Sequence, residues 1–251
     1  MAVAFLPLRK IHLRSLLASG AFLALIPVIL KLAFLIFPHA EARLMPIDGY
    51  APIQREYWLP FAVLFFALAS HLVSVRHKRG ILIITGMLAL VAVQQTFWHL
   101  SEPESYKYEG KIVDGVCQQT SFETCGAASM VTLLNAIGIR TTEGEMARLS
   151  MTAPTRGLTP HLAAYGLKRK LSQLGHSENV AVMAPELYEL HNITKPFLAG
   201  IDFSSATNHM VCVLETNRDY LVVGDPISIG RKKWSWDHFE KQWLGLVIVC
   251  R

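Results

Sequence analysis

Three long apolar runs in the first hundred residues restrict most strongly what this chain can fold into. They cover about residues 15–37, 58–75 and 80–98, and none of them contains an aspartate or a glutamate. Each run approaches the ~20 residues that an α-helix needs to cross the hydrocarbon core of a bilayer. Burial of all three runs in a soluble helical domain is the alternative, but runs so poor in charge are costly to solvate. The runs therefore predict an all-α membrane anchor, residues 1–100, of about three transmembrane helices.

Basic residues are distributed unevenly around these runs, which predicts the orientation of the anchor. Lysine and arginine cluster at residues 9–14 and 76–79, whereas the loop 38–57 mixes two arginines with three acidic residues. Lysine and arginine are enriched in cytoplasmic loops. The N-terminus and residues 76–79 are therefore expected in the cytoplasm of a bacterium. Three crossings of the inner membrane then leave everything after about residue 100 in the periplasm or outside the cell, with the lipid bilayer as a partner.

The rest of the chain, residues 101–251, has the balance of an ordinary globular domain. The whole chain is 52% hydrophobic and 17% charged, and most of the apolar excess falls within the three runs. The formal net charge is +5, but the globular half shows no sustained basic face with interleaved aromatic residues, so nucleic acid is not an expected partner. Its histidines lack the spacing of metal ligands, and no metal or other cofactor is expected.

All four cysteines lie in the globular half, at positions 117, 125, 212 and 250. They show no C-x-x-C spacing, which disfavours a zinc ribbon or a thioredoxin-like motif. Cys117, Cys212 and Cys250 are interpreted as structural thiols. A disulfide between two of them is the open alternative, because the periplasm permits one and the sequence does not determine the pairing.

Cys125 stands at the start of a predicted helix. Residues 127–136 have the periodicity of a helix, and Gly138 is expected to end it. The unpaired N–H groups and the dipole at the start of a helix favour a thiolate. Gly126 is expected to leave room for a substrate to approach the backbone. A buried structural cysteine is the alternative that this segment alone leaves open.

His209 and Asp225 are expected to meet across a β-hairpin. Residues 208–215 alternate and are rich in β-branched side chains, 220–224 read as a second strand, and a polar turn separates them. Antiparallel pairing would bring the start of the first strand beside the end of the second. A cysteine at a helix start, a histidine and an orienting aspartate are what nucleophilic thiol catalysis requires. A side-chain amide shortly before the cysteine could donate to the oxyanion.

These residues together resemble a known family. Gln119-x5-Cys125-Gly126-Ala127-Ala128, a histidine that opens a strand and Asp225-Pro226 are similar to the bacteriocin-processing cysteine peptidases, which remove leaders after a double glycine. Residues 157–160 and the tail 231–245 also resemble the family, so that the resemblance covers about residues 110–250.

The resemblance implies a papain-like α+β cysteine peptidase domain with specific roles for four residues. Cys125 matches the nucleophile, His209 the general base and Asp225 the acid that orients the histidine. Gln119, rather than Gln118, matches the oxyanion glutamine because it lies six residues before the cysteine. The implied function is a membrane-anchored cysteine-type endopeptidase that cleaves a peptide or protein for maturation or leader removal.

The order of the parts differs from that of the best-known members of the family, in which the peptidase precedes the membrane domain and ATPase of an exporter. Here the apolar runs come first, and no G-x-x-x-x-G-K-[ST] motif occurs. A separate exporter is therefore an open alternative as a partner. Two other functions stay open: a catalytically silent peptide-binding module of a secretion system, and a thiol acyltransferase or amidase that uses the same residues.

Overall fold

The computed structural model divides the chain into two compact units. The helical unit comprises the described parts of residues 1–38 and 53–101, and the globular unit comprises those of 39–52 and 102–251. The structure describes residues 5–55, 57–100, 103–154, 157–176, 179–204 and 207–250.

Within those residues the elements follow one another in a simple order. The helices are α1 (Phe5–Ile36), α2 (Pro38–Leu44), α3 (Ile47–Tyr50), α4 (Trp58–Ala69), α5 (Val75–Leu100), α6 (Cys125–Ala136), α7 (Glu143–Leu149), α8 (Pro160–Gln173) and α9 (Trp236–Gln242). The strands are β1 (Ile112–Val113), β2 (Val116–Cys117), β3 (Val180–Met183), β4 (Phe197–Ser204), β5 (Thr207–Thr216), β6 (Tyr220–Gly224), β7 (Arg231–Ser235) and β8 (Trp243–Cys250).

In the helical unit, α1 packs against α4 and α4 packs against α5. Among the described residues, two helical stretches are long and apolar enough to cross a membrane, His12–Ile36 and Val75–Gln94. The second apolar run gives only α4, whose 12 residues rise about 18 Å, short of the ~30 Å hydrocarbon core. That helix ends at Ser70, whose hydroxyl donates to the carbonyl oxygen of Ala67 at 2.7 Å. The prediction of three transmembrane helices is therefore not confirmed.

The globular unit is built on a six-stranded sheet in the order β3-β8-β4-β5-β6-β7, with antiparallel neighbours. Successive side chains of a strand point to opposite faces. On β5, Cys212 therefore joins the apolar cluster under α6, α7 and α8, whereas Val211 and Val213 join a second cluster with Phe239 of α9. This arrangement confirms the α+β class predicted for the globular half.

Strands β5 and β6 form the predicted hairpin. They pair antiparallel, with Cys212 opposite Gly224. The N–H of Asn217 donates to the carbonyl oxygen of Tyr220 at 2.8 Å and closes the turn. The start of β5 consequently lies beside the end of β6.

The ends of α6 and the start of α7 agree only in part with the pattern of the sequence. α6 begins at Cys125, two residues before the predicted helix, and Gly138 after it has the positive φ of 84° that favours glycine. At the start of α7, the Thr142 hydroxyl accepts from the N–H of Glu145 at 3.2 Å. The Glu145 carboxylate does not accept the N–H of Thr142 in return. It pairs instead with the ammonium of Lys170 at 2.7 Å.

Residues 39–52, here called the linking segment, join α1 to α4 along the chain but pack with the globular unit. The ring of Tyr50 meets the ring of His161 on α8 edge-on, with centroids 5.5 Å apart. Asp48 forms an ion pair with Lys168 on the same helix. The linking segment is thus part of the globular fold, although the sequence places it between two apolar runs.

Candidate active site

Cys125 is the first residue of α6 and is half-buried. It follows a 3-10 turn, Phe122–Thr124, that two bonds to Ser121 hold in place. The Thr124 hydroxyl donates to the carbonyl oxygen of Ser121 at 2.8 Å, and the N–H of Ser121 donates to the Thr124 hydroxyl at 3.2 Å. The N–H groups of a first helical turn lack partners within the helix and carry partial positive charge. The Cys125 side chain therefore lies next to the N–H groups that open α6.

His209 lies near the start of β5, and Asp225 directly follows β6. The two residues are neighbours at the open end of the hairpin, and both are buried. The Nε2–H of His209 donates to Oδ1 of Asp225 at 2.8 Å. The thiol of Cys125 is also hydrogen-bonded to the imidazole of His209. Since Nε2 is bonded to Asp225, Nδ1 is the ring nitrogen that is left to exchange a proton with the thiol. Three of the four predicted site residues thus form one hydrogen-bonded chain.

The groups around His209 and Asp225 determine whether each of these two side chains carries a proton. Burial alone would lower the pKa of His209, but hydrogen bonds to Asp225 and Cys125 and their negative charges outweigh it and raise the pKa to about 9. Burial alone would raise the pKa of Asp225, yet the hydrogen bonds from His209 and from the backbone of Ile227 hold that pKa below its usual range. At neutral pH the imidazole therefore carries a proton and Asp225 is ionised.

The loop after β6 holds Asp225 in place. Its Oδ1 accepts the N–H of Ile227 at 3.1 Å, and its Oδ2 accepts the hydroxyl of Ser228 at 2.9 Å. The carbonyl oxygen of Ser228 in turn accepts from Nε2 of Gln118 at 2.7 Å. Sequence reasoning missed Ser228 and Gln118, and the only local signal for Gln118 was its place beside Gln119.

Gln119 lies in the same loop system, and its side chain is bonded within its own loop. Its backbone N–H donates to the carbonyl oxygen of Pro226 at 3.0 Å, directly after Asp225. Its side-chain Nε2 donates to the carbonyl oxygen of Ser121 at 2.9 Å. A carboxamide nitrogen carries two hydrogens, so a second donor is left. Gln119 thus joins the other three residues through the backbone rather than by a side-chain bond to them.

A sequence model of the peptidase C39 family matches residues 114–251, more than half of the chain. The chain belongs to this family. Membership confirms the resemblance to the bacteriocin-processing peptidases and accounts for the papain-like fold of the globular unit, which is called the C39 domain below.

Individual relatives match the same half of the chain. The lactococcin-G-processing and transport ATP-binding protein of Lactococcus lactis subsp. lactis is 23% identical over 133 residues, which are 53% of this chain and 18% of that protein. An uncharacterised protein of Methanothermobacter marburgensis is 28% identical over 134 residues, 53% of this chain and 86% of that protein. The crystal structure of the peptidase domain of Streptococcus ComA superposes with a TM-score of 0.46 at 22% identity, covering 54% of this chain and 96% of that one.

Gly126 in the C39 domain packs closely against Leu158. It is buried, and a Cβ placed on it would come 2.7 Å from Cδ1 of Leu158. The space on the Cβ side of Gly126 is therefore filled by Leu158, which precedes α8. The approach of a substrate to the backbone at Gly126 stays a prediction.

Cys117, Cys212 and Cys250 are not joined to one another by disulfides. Burial, together with the nearby charge of Glu143, raises the pKa of Cys117 to about 12. Burial likewise raises the pKa of Cys212. Both thiols are therefore protonated at neutral pH and unsuited to attack. Within the described part of the chain, no three histidine, cysteine, aspartate or glutamate side chains are grouped closely enough to hold a metal ion.

Proposed function

We propose that this chain is a membrane-anchored cysteine endopeptidase that cleaves a peptide or protein presented at the same membrane. The observation that carries the proposal is the hydrogen-bonded chain of Cys125, His209 and Asp225 at the start of α6. In this proposal Cys125 is the nucleophile, His209 transfers the proton, Asp225 orients the imidazole, and Gln119 donates to the oxyanion.

We propose that the reaction begins with Cys125 as a thiolate and His209 as an imidazolium, which holds its proton up to about pH 9. The Cys125 sulfur attacks the carbonyl carbon, and the carbonyl oxygen becomes an oxyanion stabilised by the amide of Gln119 and by N–H groups at the start of α6. His209 gives its proton to the leaving amine as the C–N bond breaks, leaving a thioester. His209 then takes a proton from water and the hydroxide attacks the thioester. The carbon–sulfur bond breaks, the carboxylic acid is released, and the Cys125 thiolate and the His209 imidazolium are restored.

The substrate class comes from the relatives. The Lactococcus relative is named for processing and transport of lactococcin G. By analogy we propose that this chain removes a leader from an exported peptide, with a separate exporter as its partner. The half-buried thiol at the surface of the C39 domain is consistent with access for an extended peptide.

The linking segment supports a specific path through the membrane. It packs with the C39 domain, and we propose that the two lie in one compartment. The chain between them, 53–102, must then cross the bilayer an even number of times. A single crossing by α5 does not fit, and we propose that α4 and α5 cross as a pair, with local thinning of the bilayer around the shorter helix.

The charges then orient this path. The basic turn 76–79 between α4 and α5 is expected in the cytoplasm. We therefore propose three crossings in a bacterial inner membrane, with the N-terminus in the cytoplasm and the C39 domain outside it.

The test of the function uses the full chain in detergent or vesicles and a set of reporter peptides with a leader that ends in Gly-Gly. Cleavage that is lost in Cys125→Ala and yields a free carboxylate supports the peptidase. Transfer of the acyl group to an added labelled amine in preference to water would replace it by an acyltransferase. Tight binding of the peptides without cleavage, unchanged in Cys125→Ala, would replace it by a silent binding module.

A further inference from the structure

Glu143 is a buried acidic residue that the proposed reaction does not use. It is the first residue of α7 and is 0% exposed. Its Oε1 accepts the backbone N–H of Thr120 at 2.9 Å, and its Oε2 accepts the hydroxyl of Thr120 at 3.0 Å. Burying a carboxylate is costly unless it is well hydrogen-bonded. These two bonds, across 23 residues of sequence, are therefore the contacts that make this carboxylate acceptable in the interior.

The carboxylate is fixed from the other side as well. A Cβ on Gly110 would come 2.9 Å from Oε2 of Glu143, so the backbone at Gly110 lies against it. The N–H of Gly144 donates to the carbonyl oxygen of Tyr108 at 2.7 Å, which ties the start of α7 to the same stretch of chain. Glu143 consequently has little freedom to follow the loop of Thr120 if that loop moves.

Thr120 directly follows Gln119 in the loop 118–121, which is bonded to several other parts of the domain. Gln118 and Gln119 are bonded to the loop that carries Asp225, at the carbonyl oxygens of Ser228 and Pro226. Thr120 is bonded to Glu143 in the helical layer of the core. The bonds to Glu143 connect this loop to the start of α7.

We propose that Glu143 is a positioning residue that holds the loop 118–121 so that the carboxamide of Gln119 faces the oxyanion. This inference rests on the proposed function, because it assumes that Gln119 donates to the oxyanion. A displacement of about 1 Å in such a group can cost roughly a hundredfold in rate. Loss of Glu143 should therefore weaken oxyanion stabilisation without changing the pair of Cys125 and His209.

Two thiol reagents separate these effects. Iodoacetamide reacts by displacement, in which a C–S bond forms and iodide leaves, so no oxyanion develops. A peptide aldehyde ending in glycinal is attacked at its carbonyl carbon, and its oxygen takes up negative charge that needs the oxyanion donors. Protection of Cys125 by the aldehyde against labelled iodoacetamide measures the dissociation constant of the aldehyde in the full chain, and no natural substrate is needed.

The variants are Glu143→Gln, Thr120→Val and Gln119→Ala, with Glu145→Gln as the matched control. Glu145 is on the same helix and pairs with Lys170, so its variant loses a carboxylate bond without touching the loop. Thr120 is exposed, so Thr120→Val keeps the test valid if Glu143→Gln fails to fold.

The proposal predicts that Glu143→Gln weakens aldehyde binding at least about tenfold and that Thr120→Val weakens it to a smaller degree. In both variants the rate of reaction with iodoacetamide should stay within about twofold of the wild-type rate. In the double variant with Gln119→Ala, Glu143→Gln should add almost nothing. Three results would overturn the positioning role and leave the proposed function standing. The first is an equal loss of aldehyde binding and of the iodoacetamide rate in Glu143→Gln, and the second is an equally large loss of aldehyde binding in Glu145→Gln. The third is a double variant in which the losses from Glu143→Gln and Gln119→Ala add up. Aldehyde that fails to protect the wild-type chain would overturn the proposed function, and the inference with it.

Discussion

The hydroxyl of Ser129 donates a hydrogen bond to the carbonyl oxygen of Met210, 2.8 Å away. Ser129 lies about one helical turn after Cys125 on α6, and Met210 directly follows His209 on β5. Both partners are buried. The bond therefore ties the helix of the thiol to the strand of the imidazole, close to where these two groups meet.

Ser129→Ala should loosen the approach of Cys125 to His209. The buried carbonyl oxygen of Met210 would lose its partner, which costs about 1–3 kcal/mol of the free energy of unfolding. The rate at which iodoacetamide labels Cys125 at neutral pH should fall as well. Urea unfolding and labelling of the detergent-solubilised chain measure the two effects.

Ser150→Ala is the matched control for this prediction. Ser150 is equally buried, but its hydroxyl donates to the carbonyl oxygen of Met146 within its own helix end, at 2.6 Å. It should lose stability and keep its labelling rate. Equal labelling rates in both variants would contradict the role assigned to Ser129.

Gly126→Ala should disturb the start of α6, because the new methyl group would press on Leu158. Overpacking of this kind costs about 1–3 kcal/mol, and the labelling rate of the adjacent Cys125 should fall. Combining it with Leu158→Ala returns the space, so the double variant should recover most of the labelling rate. If the double variant is as slow as Gly126→Ala, the methyl group acts on something other than Leu158.

Part of this site could be predicted because its information is local. The alternation around His209, the polar turn and the Asp225-Pro226 stop specify a hairpin whose ends must meet. A helical pattern after Cys125 places the thiol at a helix start. In both cases backbone geometry alone determines the neighbourhood of the side chain.

The supporting residues could not be predicted, because each acts on a partner far away in sequence. Glu143 reads as an ordinary acidic residue in a first helical turn, and Ser129 as a small residue in an apolar helix. Their partners, Thr120 and Met210, contribute backbone groups, which every residue has. Only the tertiary fold brings these groups together.

The helical unit and the linking segment show the same limit. Composition marks the run 58–75 as apolar but does not show that its helix stops at Ala69. The linking segment has the mixed composition of an ordinary loop, and its packing against Lys168 and His161 depends on a surface that the rest of the chain builds.

Hydrolysis should lose activity above about pH 9, where His209 loses the proton that the leaving amine needs. In Asp225→Asn the charge that raises this pKa is gone, so the alkaline limit should move toward neutral pH. The pH profile of peptide cleavage measures both limits. An alkaline limit that is the same in both proteins would contradict the role of Asp225.

The imidazole of His209 also makes the free energy of unfolding depend on pH. The pKa of His209 is raised from about 6.5 in the unfolded chain to about 9. Its contribution is therefore fully present below about pH 6.5 and is lost as the pH rises through about 9. Urea unfolding of the wild-type chain should show this decline between the two values, and His209→Ala should flatten it.

The proposed topology predicts which positions of the chain react with a membrane-impermeant maleimide from each side of the membrane. Single cysteines are placed at Leu44 in the linking segment and Tyr188 in the C39 domain, which are exposed, and at Lys78 in the basic turn, which is half-buried. The background carries Cys125→Ala and Cys250→Ser, because the other two thiols are buried.

In right-side-out vesicles, positions 44 and 188 should be labelled and position 78 protected, and inverted vesicles should give the opposite pattern. Labelling of positions 44 and 188 from opposite sides would contradict the even number of crossings between them.

The most direct test of the central claim is the rate of Cys125 alkylation at neutral pH in the full chain, compared between wild type, Cys125→Ala and His209→Ala. The account predicts fast labelling that disappears in Cys125→Ala and slows at least about tenfold in His209→Ala, because the imidazolium that stabilises the thiolate is lost. A wild-type rate no faster than that of an ordinary exposed thiol, unchanged by His209→Ala, would contradict the assembled pair of Cys125 and His209.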